Sequence, residues 1–295
     1  MSSGNGGQDE SGEQDNGPGR PRVGFIGLGT MGLPMALNVA RSGHPLTVFD
    51  VQEAPVREAV ALGATAAGTV EDLGAASDVV LVAVVDDAQV EGVLLGTDGP
   101  GVFGTAAPGT VVVVHSTINP RTCRRLAALA GERGLHFLDG PISGGPMGAR
   151  EGTLAIMVGG EAAALAIARP VLDTMSRRVF HLGDTGMGEV AKVANNVVLA
   201  IALEAVHEGL SLARDAGIDE EVMLEVLRTS TGDSWAVRNW HAVGEVARNY
   251  PNGATGVANL TYKDISMALA IGHDLGTQLP VTGLTSQLLE EPYHR

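Results

Sequence analysis

Aromatic residues, lysine and cysteine are scarce in this chain, and base is scarce relative to acid. Only 3% of its 295 residues are aromatic although 44% are hydrophobic. The core must therefore be assembled from Ala, Val, Leu and Ile, and the length suits two domains better than one. Cys123 is the single cysteine, which excludes an intramolecular disulfide and a cysteine-based zinc site and fits a reducing cytoplasm. Nineteen basic residues face 34 acidic ones, for a formal charge of −15. That balance speaks against unassisted binding to nucleic acid or to an anionic membrane, both of which need basic patches. It leaves room for a small anionic substrate, which needs only a few local donors. No apolar run reaches the roughly 18 residues that read as a membrane span. The first residues, rich in Gly, Ser, Asn, Asp, Gln and Glu, lack the apolar stretch of a secretory signal. The eight histidines show no HExxH or other paired metal spacing, so no metal site is expected. Lysine is the sharpest scarcity: of the basic residues 17 are arginine, and the lysines are Lys192 and Lys263 alone.

What is present divides the chain in three. Met1 to Pro21 hold almost nothing to bury and read as a disordered tail. From residue 22 to 184, short apolar runs alternate with Ala-rich segments. Expected strands are Val23–Ile26, Leu46–Asp50, Val79–Val84, Thr110–His115, His136–Leu138, Leu154–Val158 and Val179–Leu182. Expected helices are Met31–Ser42, Pro55–Leu62, Ala88–Leu95, Pro120–Glu132 and Glu161–Met175. Such alternation implies a parallel sheet with crossover helices. Residues 185–295 read as all-helical, opened by one long run from Glu189 to Ala216. Shorter helices follow near Asp219–Leu227, Trp235–Val246, Val257–Asp274 and Thr282–Glu291. The fold class is thus α/β: a Rossmann-type dinucleotide-binding domain joined by a long helix to an all-helical C-terminal domain.

The first strand runs into Gly27-Leu28-Gly29-Thr30-Met31-Gly32, a Gly-x-Gly-x-x-Gly stretch that opens a helix. Gly27 allows the tight turn, Gly29 lets the backbone approach a pyrophosphate, and Gly32 lets helix and strand pack closely. The helix N-terminus offers free N–H groups to phosphate. In a chain with 41 glycines the triplet alone is weak. Here a strand precedes it, a helix follows it, and Asp50 lies 23 positions beyond Gly27. An acid there accepts hydrogen bonds from the adenosine ribose hydroxyls and repels a 2′-phosphate, favouring NAD over NADP. The plain alternative for Asp50 is a solvated acid at a strand end.

Gly186 to Asn196 opens the long helix, with Lys192 and Asn196 four apart on one face. From Val190 to Leu203 the helix is otherwise almost entirely apolar, which implies burial. A lysine among apolar neighbours costs free energy unless it is paired or does chemistry. Arginine serves nearly every other basic position, and unlike arginine a lysine can lose its proton. Both points set Lys192 apart from a solvated surface lysine. Lys263, beside Asp264, reads either as a surface ion pair or as a second retained lysine. Ser143-Gly144-Gly145 can present a hydroxyl and successive backbone N–H groups to a carboxylate; the alternative is an ordinary interdomain loop.

Taken in order, these motifs resemble the β-hydroxyacid dehydrogenases over about Val23 to Pro280. Gly27–Gly32 with Gly43-His44, Asp139–Gly152, Gly186–Asn196 and Lys263-Asp264 match that family's four signatures. The resemblance implies that Lys192 is the catalytic lysine, that Ser143, Gly144 and Gly145 hold the substrate carboxylate, and that Asn196 orients the substrate. It implies cofactor contacts at Leu28, Thr30, Met31 and the three glycines, at Asp50, at Thr117 in His115–Pro120, and at Lys263. Thr117 can equally belong to a helix cap before Pro120. The implied reaction interconverts a small, carboxylate-bearing 3-hydroxy acid with its semialdehyde or keto acid, using NAD, in a cytoplasmic homodimer or homotetramer. Val84-Val85-Asp86 departs from the family's usual Met-Leu-Pro after the third strand, so no family contact is carried over there, and the chain stops soon after Pro280, where the family usually carries another stretch of helix. Two other readings stand beside this one. An imine reductase on the same scaffold would use NADPH and carry an acid or tyrosine at position 192. A non-catalytic oligomeric scaffold would have lost the lysine.

Overall fold

A computed structural model of the chain describes residues 20–250 and 252–289. In chain order its elements are β1 (Val23–Ile26), α1 (Gly32–Arg41), β2 (Leu46–Phe49), α2 (Glu53–Ala61), β3 (Thr65–Ala66), α3 (Val70–Ala75), β4 (Val79–Val82), α4 (Asp87–Leu95), α5 (Gly101–Thr105), β5 (Val111–Val114), α6 (Pro120–Gly131), β6 (His136–Asp139), β7 (Ile142–Ser143), α7 (Gly145–Glu151), β8 (Leu154–Val158), α8 (Ala162–Leu172) and β9 (Ser176–His181). The helical part follows with α9 (Met187–Asp215), α10 (Glu220–Thr229), α11 (Trp235–Arg238), α12 (Trp240–Asn249), α13 (Gly253–Leu275) and α14 (Pro280–Thr285).

Six strands form one parallel sheet in the order β3-β2-β1-β4-β5-β6. Val23 of β1 lies opposite Leu46 on one side and Val79 on the other. The chain starts at the centre and winds outward twice, so the order reverses between β1 and β4. The crevice at that reversal is where doubly wound sheets bind ligands. β1, β4 and β5 are buried along their whole length, which is why they read as unbroken Val/Ile/Leu runs. Their side chains alternate between two cores. Val79, Leu81, Val111 and Val113 pack with Met35, Val39 and the buried face of α8. Val80, Val82, Val112 and Val114 pack with Leu73, Leu94, Phe103 and Leu126. A second sheet, β7-β8-β9, pairs β7 antiparallel and β9 parallel to β8. It joins the first where Asp139 and Gly159 exchange backbone hydrogen bonds.

The helical lobe has its own core of Leu203, Leu210, Leu224, Val237, Trp240 and Ile265. α9 is the shared element: it packs on β6, β8 and α6 of the first lobe and on α10, α11, α13 and α14 of the second. Several expectations need correction. The tail lies outside the described residues up to position 19, but Pro21 is held, its carbonyl accepting from His44 Nδ1 at 3.1 Å. Trp235–Val246 is not one helix; it breaks at Asn239 into α11 and α12. α9 is not enclosed on most sides: Val198 is 69% and Leu212 74% exposed, and Lys192 and Asn196 nearer its start are half-buried. The reason is position, because α9 runs along both lobes rather than inside a single core. By length and composition α9 would also suffice to cross a membrane, yet its faces lie against both lobes. α3, α5, α7, β3 and β7 are too short to leave a periodic signal.

Candidate active site

The C-terminal ends of the parallel strands gather the residues singled out above. At the end of β1, Gly27 turns with φ +90°. A side chain at Gly32 would place its Cβ 1.9 Å from the Gly27 carbonyl oxygen, whereas one at Gly29 would meet nothing within 4 Å. Gly32 therefore serves packing and Gly29 leaves an open approach. No side chain caps α1, whose N-cap position is Met31, and its first N–H groups face that opening. Asp50 ends β2. Its Oδ2 accepts the Leu28 N–H at 2.6 Å and its Oδ1 the Gln52 N–H at 2.7 Å. A carboxylate keeps further acceptor sites after two such bonds, so Asp50 can still receive ribose hydroxyls. An uncapped helix start, an open glycine and a fixed acid fit a dinucleotide.

At the end of β5, the Ser116 hydroxyl accepts the Val84 N–H at 2.9 Å, and Asp87 takes the Asn119 N–H at 3.1 Å and the Thr122 hydroxyl at 2.6 Å. These bonds pin the His115–Asn119 loop ahead of α6. The helical lobe reaches the same loop: Lys263 Nζ donates to the Thr117 carbonyl. Lys263 pairs with Asp264 at 3.2 Å, their side chains 28% and 8% exposed. Asp264 Oδ2 accepts Asn196 Nδ2 at 2.6 Å. Lys263 and Asp264 are thus no solvated surface pair; they bridge α13 to α9 and to the first lobe. Lys192 sits on α9 within the field of this pair. Burial pushes its pKa below the usual lysine value, against the opposing pull of the Asp264 carboxylate, and Lys263 repels its charged form. The amine is poised to release a proton more readily than a surface lysine.

β6 ends at Asp139, which has no exposed surface. Its Oδ1 accepts the Gly186 N–H at 2.6 Å and its Oδ2 the Glu189 N–H at 3.1 Å. A carboxylate four residues before Ser143 thereby caps the helix that carries Lys192. From Asp139 the chain reaches Ser143 on β7, half-buried, then Gly144 and Gly145, both exposed, with φ +135° and +65°. No side chain caps α7 behind them, so backbone N–H groups remain for a carboxylate. His115 is buried; its Nδ1 bonds the Gly140 carbonyl at 2.6 Å and burial lowers its pKa to about 4. It is a neutral tie between the two loops. Among the described residues, no group of three His, Cys, Asp or Glu side chains is placed to hold a metal.

The structure therefore links Thr117, Lys263, Asp264 and Asn196 by direct bonds, with Lys192 within their electrostatic reach, and gathers Gly27–Gly32 with Asp50 in a second group. Asp139, Glu189 and His115 received no role from the sequence, and Asp264 was read only as the partner of Lys263. The signals were present for two of them: an acid closing an apolar strand at Asp139, and an acid one turn before Lys192 in an apolar helix at Glu189.

Comparison with known proteins points the same way. Residues 22–183 match a family model described as the NAD binding domain of 6-phosphogluconate dehydrogenase. Residues 186–294 match one described as NAD-binding of NADP-dependent 3-hydroxyisobutyrate dehydrogenase. Over 273 residues the chain is 40% identical to an NAD-dependent L-serine dehydrogenase of Pseudomonas aeruginosa, covering 90% of each protein. It is 38% identical over 270 residues to a 3-hydroxyisobutyrate dehydrogenase of the same organism, again covering 90% of each. The solved structure of a Mycobacterium tuberculosis 3-hydroxyisobutyrate dehydrogenase with L-serine superimposes with a TM-score of 0.79 at 31% identity, covering 92% of both chains.

Proposed function

Since this chain belongs to the β-hydroxyacid dehydrogenases, we propose that it acts on a small 3-hydroxy acid with NAD, and that Lys192 handles the proton. Residues 22–184 hold the dinucleotide; residues 185–295 complete the substrate site and contact other subunits. The observation that carries the reading is Lys192 itself, one of only two lysines, depressed in pKa by burial and set beside Asp264 at the lobe boundary. When bound, the nicotinamide supplies the two-electron acceptor or donor.

The chain's own residues do the rest. In oxidation the neutral Lys192 Nζ hydrogen-bonds the substrate hydroxyl and accepts its proton; in reduction the ammonium returns it. The backbone N–H groups around Ser143, Gly144 and Gly145 take the carboxylate, and Asn196, oriented by Asp264, takes a second polar group. Together they choose which carbon faces the cofactor. Gly27–Gly32 with Leu28, Thr30 and Met31 receive the pyrophosphate. Thr117 and Lys263 line the ribose side. Asp50, already bonded to Leu28 and Gln52, sets one negative charge where NADP would bring a phosphate, which favours NAD. Exposed Val198 and Leu212 on α9 support assembly into a homodimer or homotetramer. The unpaired, buried Cys123 suits a reducing cytoplasm.

Lys192→Ala tests this reading when turnover and dinucleotide affinity are measured separately, with L-serine and 3-hydroxyisobutyrate as first substrates. Turnover is expected to fall by about a hundredfold or more with affinity kept. Retained turnover removes Lys192 from the mechanism.

A further inference from the structure

Glu189 is wholly buried, one turn before Lys192, and the proton chemistry above does not use it. Neither carboxyl oxygen has a hydrogen-bond partner among the described residues. The Ile118 N–H faces the group without closing a well-formed hydrogen bond. Its neighbour Asp139, equally buried, takes the N–H groups of Gly186 and of Glu189 itself. Glycines make that seat. A Cβ at Gly159 would fall 2.7 Å from both Asp139 oxygens, and one at Gly188 would fall 2.8 Å from Oδ2.

Two carboxyl groups thus share one buried site, and the donors go to one of them. Two adjacent buried anions with a single set of donors are unfavourable, so one group keeps its proton. Both groups lie at the N-terminal turn of α9, and burial raises the pKa of each, but Asp139 accepts the Gly186 and Glu189 N–H groups, which draw it back toward the anion, whereas Glu189 accepts no well-formed hydrogen bond. We propose that Glu189 is a neutral positioning residue that ties the Thr117–Ile118 segment to the helix bearing Lys192, with ionised Asp139 as the cap beneath it. The segment is then held at the Thr117 carbonyl by Lys263 and packed at the Ile118 N–H against the Glu189 carboxyl. Together they set how far this loop stands from Lys192. This rests on Lys192 being the proton-handling residue.

The groups around Glu189 agree with a neutral acid. β6 supplies the Asp139 anion, and α13 supplies Lys263 and Asp264, a pair whose charges offset. α6 supplies Cys123, whose thiol is pushed far up by burial and by nearby acids, and Arg124, beside Gly186. β8 offers only apolar side chains. Burial, then Asp139, raises the Glu189 pKa well above the ordinary glutamate value.

Three measurements on the full-length enzyme test the proposal. The infrared spectrum at neutral pH should show a protonated-carboxyl carbonyl band that Glu189→Gln removes; its absence from the wild type overturns the neutral state. The pH midpoint of the oxidation rate should be the same in Glu189→Gln as in the wild type. A fall of about one pH unit would mean that an anion had been lost beside Lys192, and would equally overturn it. Glu189→Ala should lower kcat by about tenfold while dinucleotide KM changes little, because the loop moves relative to Lys192, and Glu189→Gln should recover most of that loss. An alanine variant with wild-type kcat removes the positioning role. Failure of the Lys192 reading is separate: it appears as an unchanged pH midpoint in Lys192→Ala and leaves the infrared result standing.

Discussion

Acidification should unfold this protein partly through one histidine. His115 joins the loop after β5 to the segment after β6 by its bond to the Gly140 carbonyl, and its Nε2 is buried without a partner among the described residues. The ring is neutral in the folded protein, its pKa lowered by burial from 6.5 to about 4. The unfolded chain takes up a proton below pH 6.5 that the folded chain refuses until near pH 4. Stability therefore falls as pH falls through that window. At 2.303RT per pH unit, the loss is about 2 kcal/mol between pH 7 and pH 5 and about 3 kcal/mol by pH 4. His115→Gln removes the titration while keeping an N–H able to reach Gly140. Urea unfolding of both proteins at pH 7, 6 and 5 reads the difference: the wild type should lose about 2 kcal/mol more than the variant over that range. Parallel losses in the two proteins would refute the buried neutral histidine.

Other expectations concern the cofactor and the lysine. Gly32→Ala drives a Cβ onto the Gly27 carbonyl and should cost about 1–3 kcal/mol of stability in urea unfolding. Gly29→Ala meets open space, so it should keep stability and lose dinucleotide affinity, which calorimetric titration reads. The wild type should prefer NAD to NADP, and Asp50→Ser should narrow that preference by about tenfold, or 1.4 kcal/mol, in paired kcat/KM measurements. The oxidation rate should rise with pH as Lys192 loses its proton and the reduction rate should fall. Asp264→Asn removes an anion that holds the Lys192 proton, so both profiles should move about one unit or more toward lower pH.

Much of the first lobe was legible because its signals are local. The unbroken apolar runs of β1, β4 and β5 mark strands buried on both faces, and the Gly27–Gly32 turn is specified by residues within one strand–helix junction. Lys192 stood out by scarcity, which needs no structure. Asn196 was reachable because four positions on a helix always share a face. Trp235–Val246 failed at a helix break that its periodicity does not mark, and the expectation for α9 failed because it rested on burial. α9 has the composition of an enclosed helix, yet much of it lies open, and composition does not record which side of a helix its neighbours leave bare.

The sequence by itself determined the main alternation of strands and helices, the glycine-rich turn with its acid, and the identity of the unusual lysine, since each depends on residues close together in the chain. Tertiary structure alone decided what surrounds that lysine. Asp139 meets Gly186 across 47 positions, Asn196 meets Asp264 across 68, and Lys263 meets Thr117 across 146. Contacts so distant leave no periodicity to read, and a group's proton affinity is set by the burial and charge that only such contacts create.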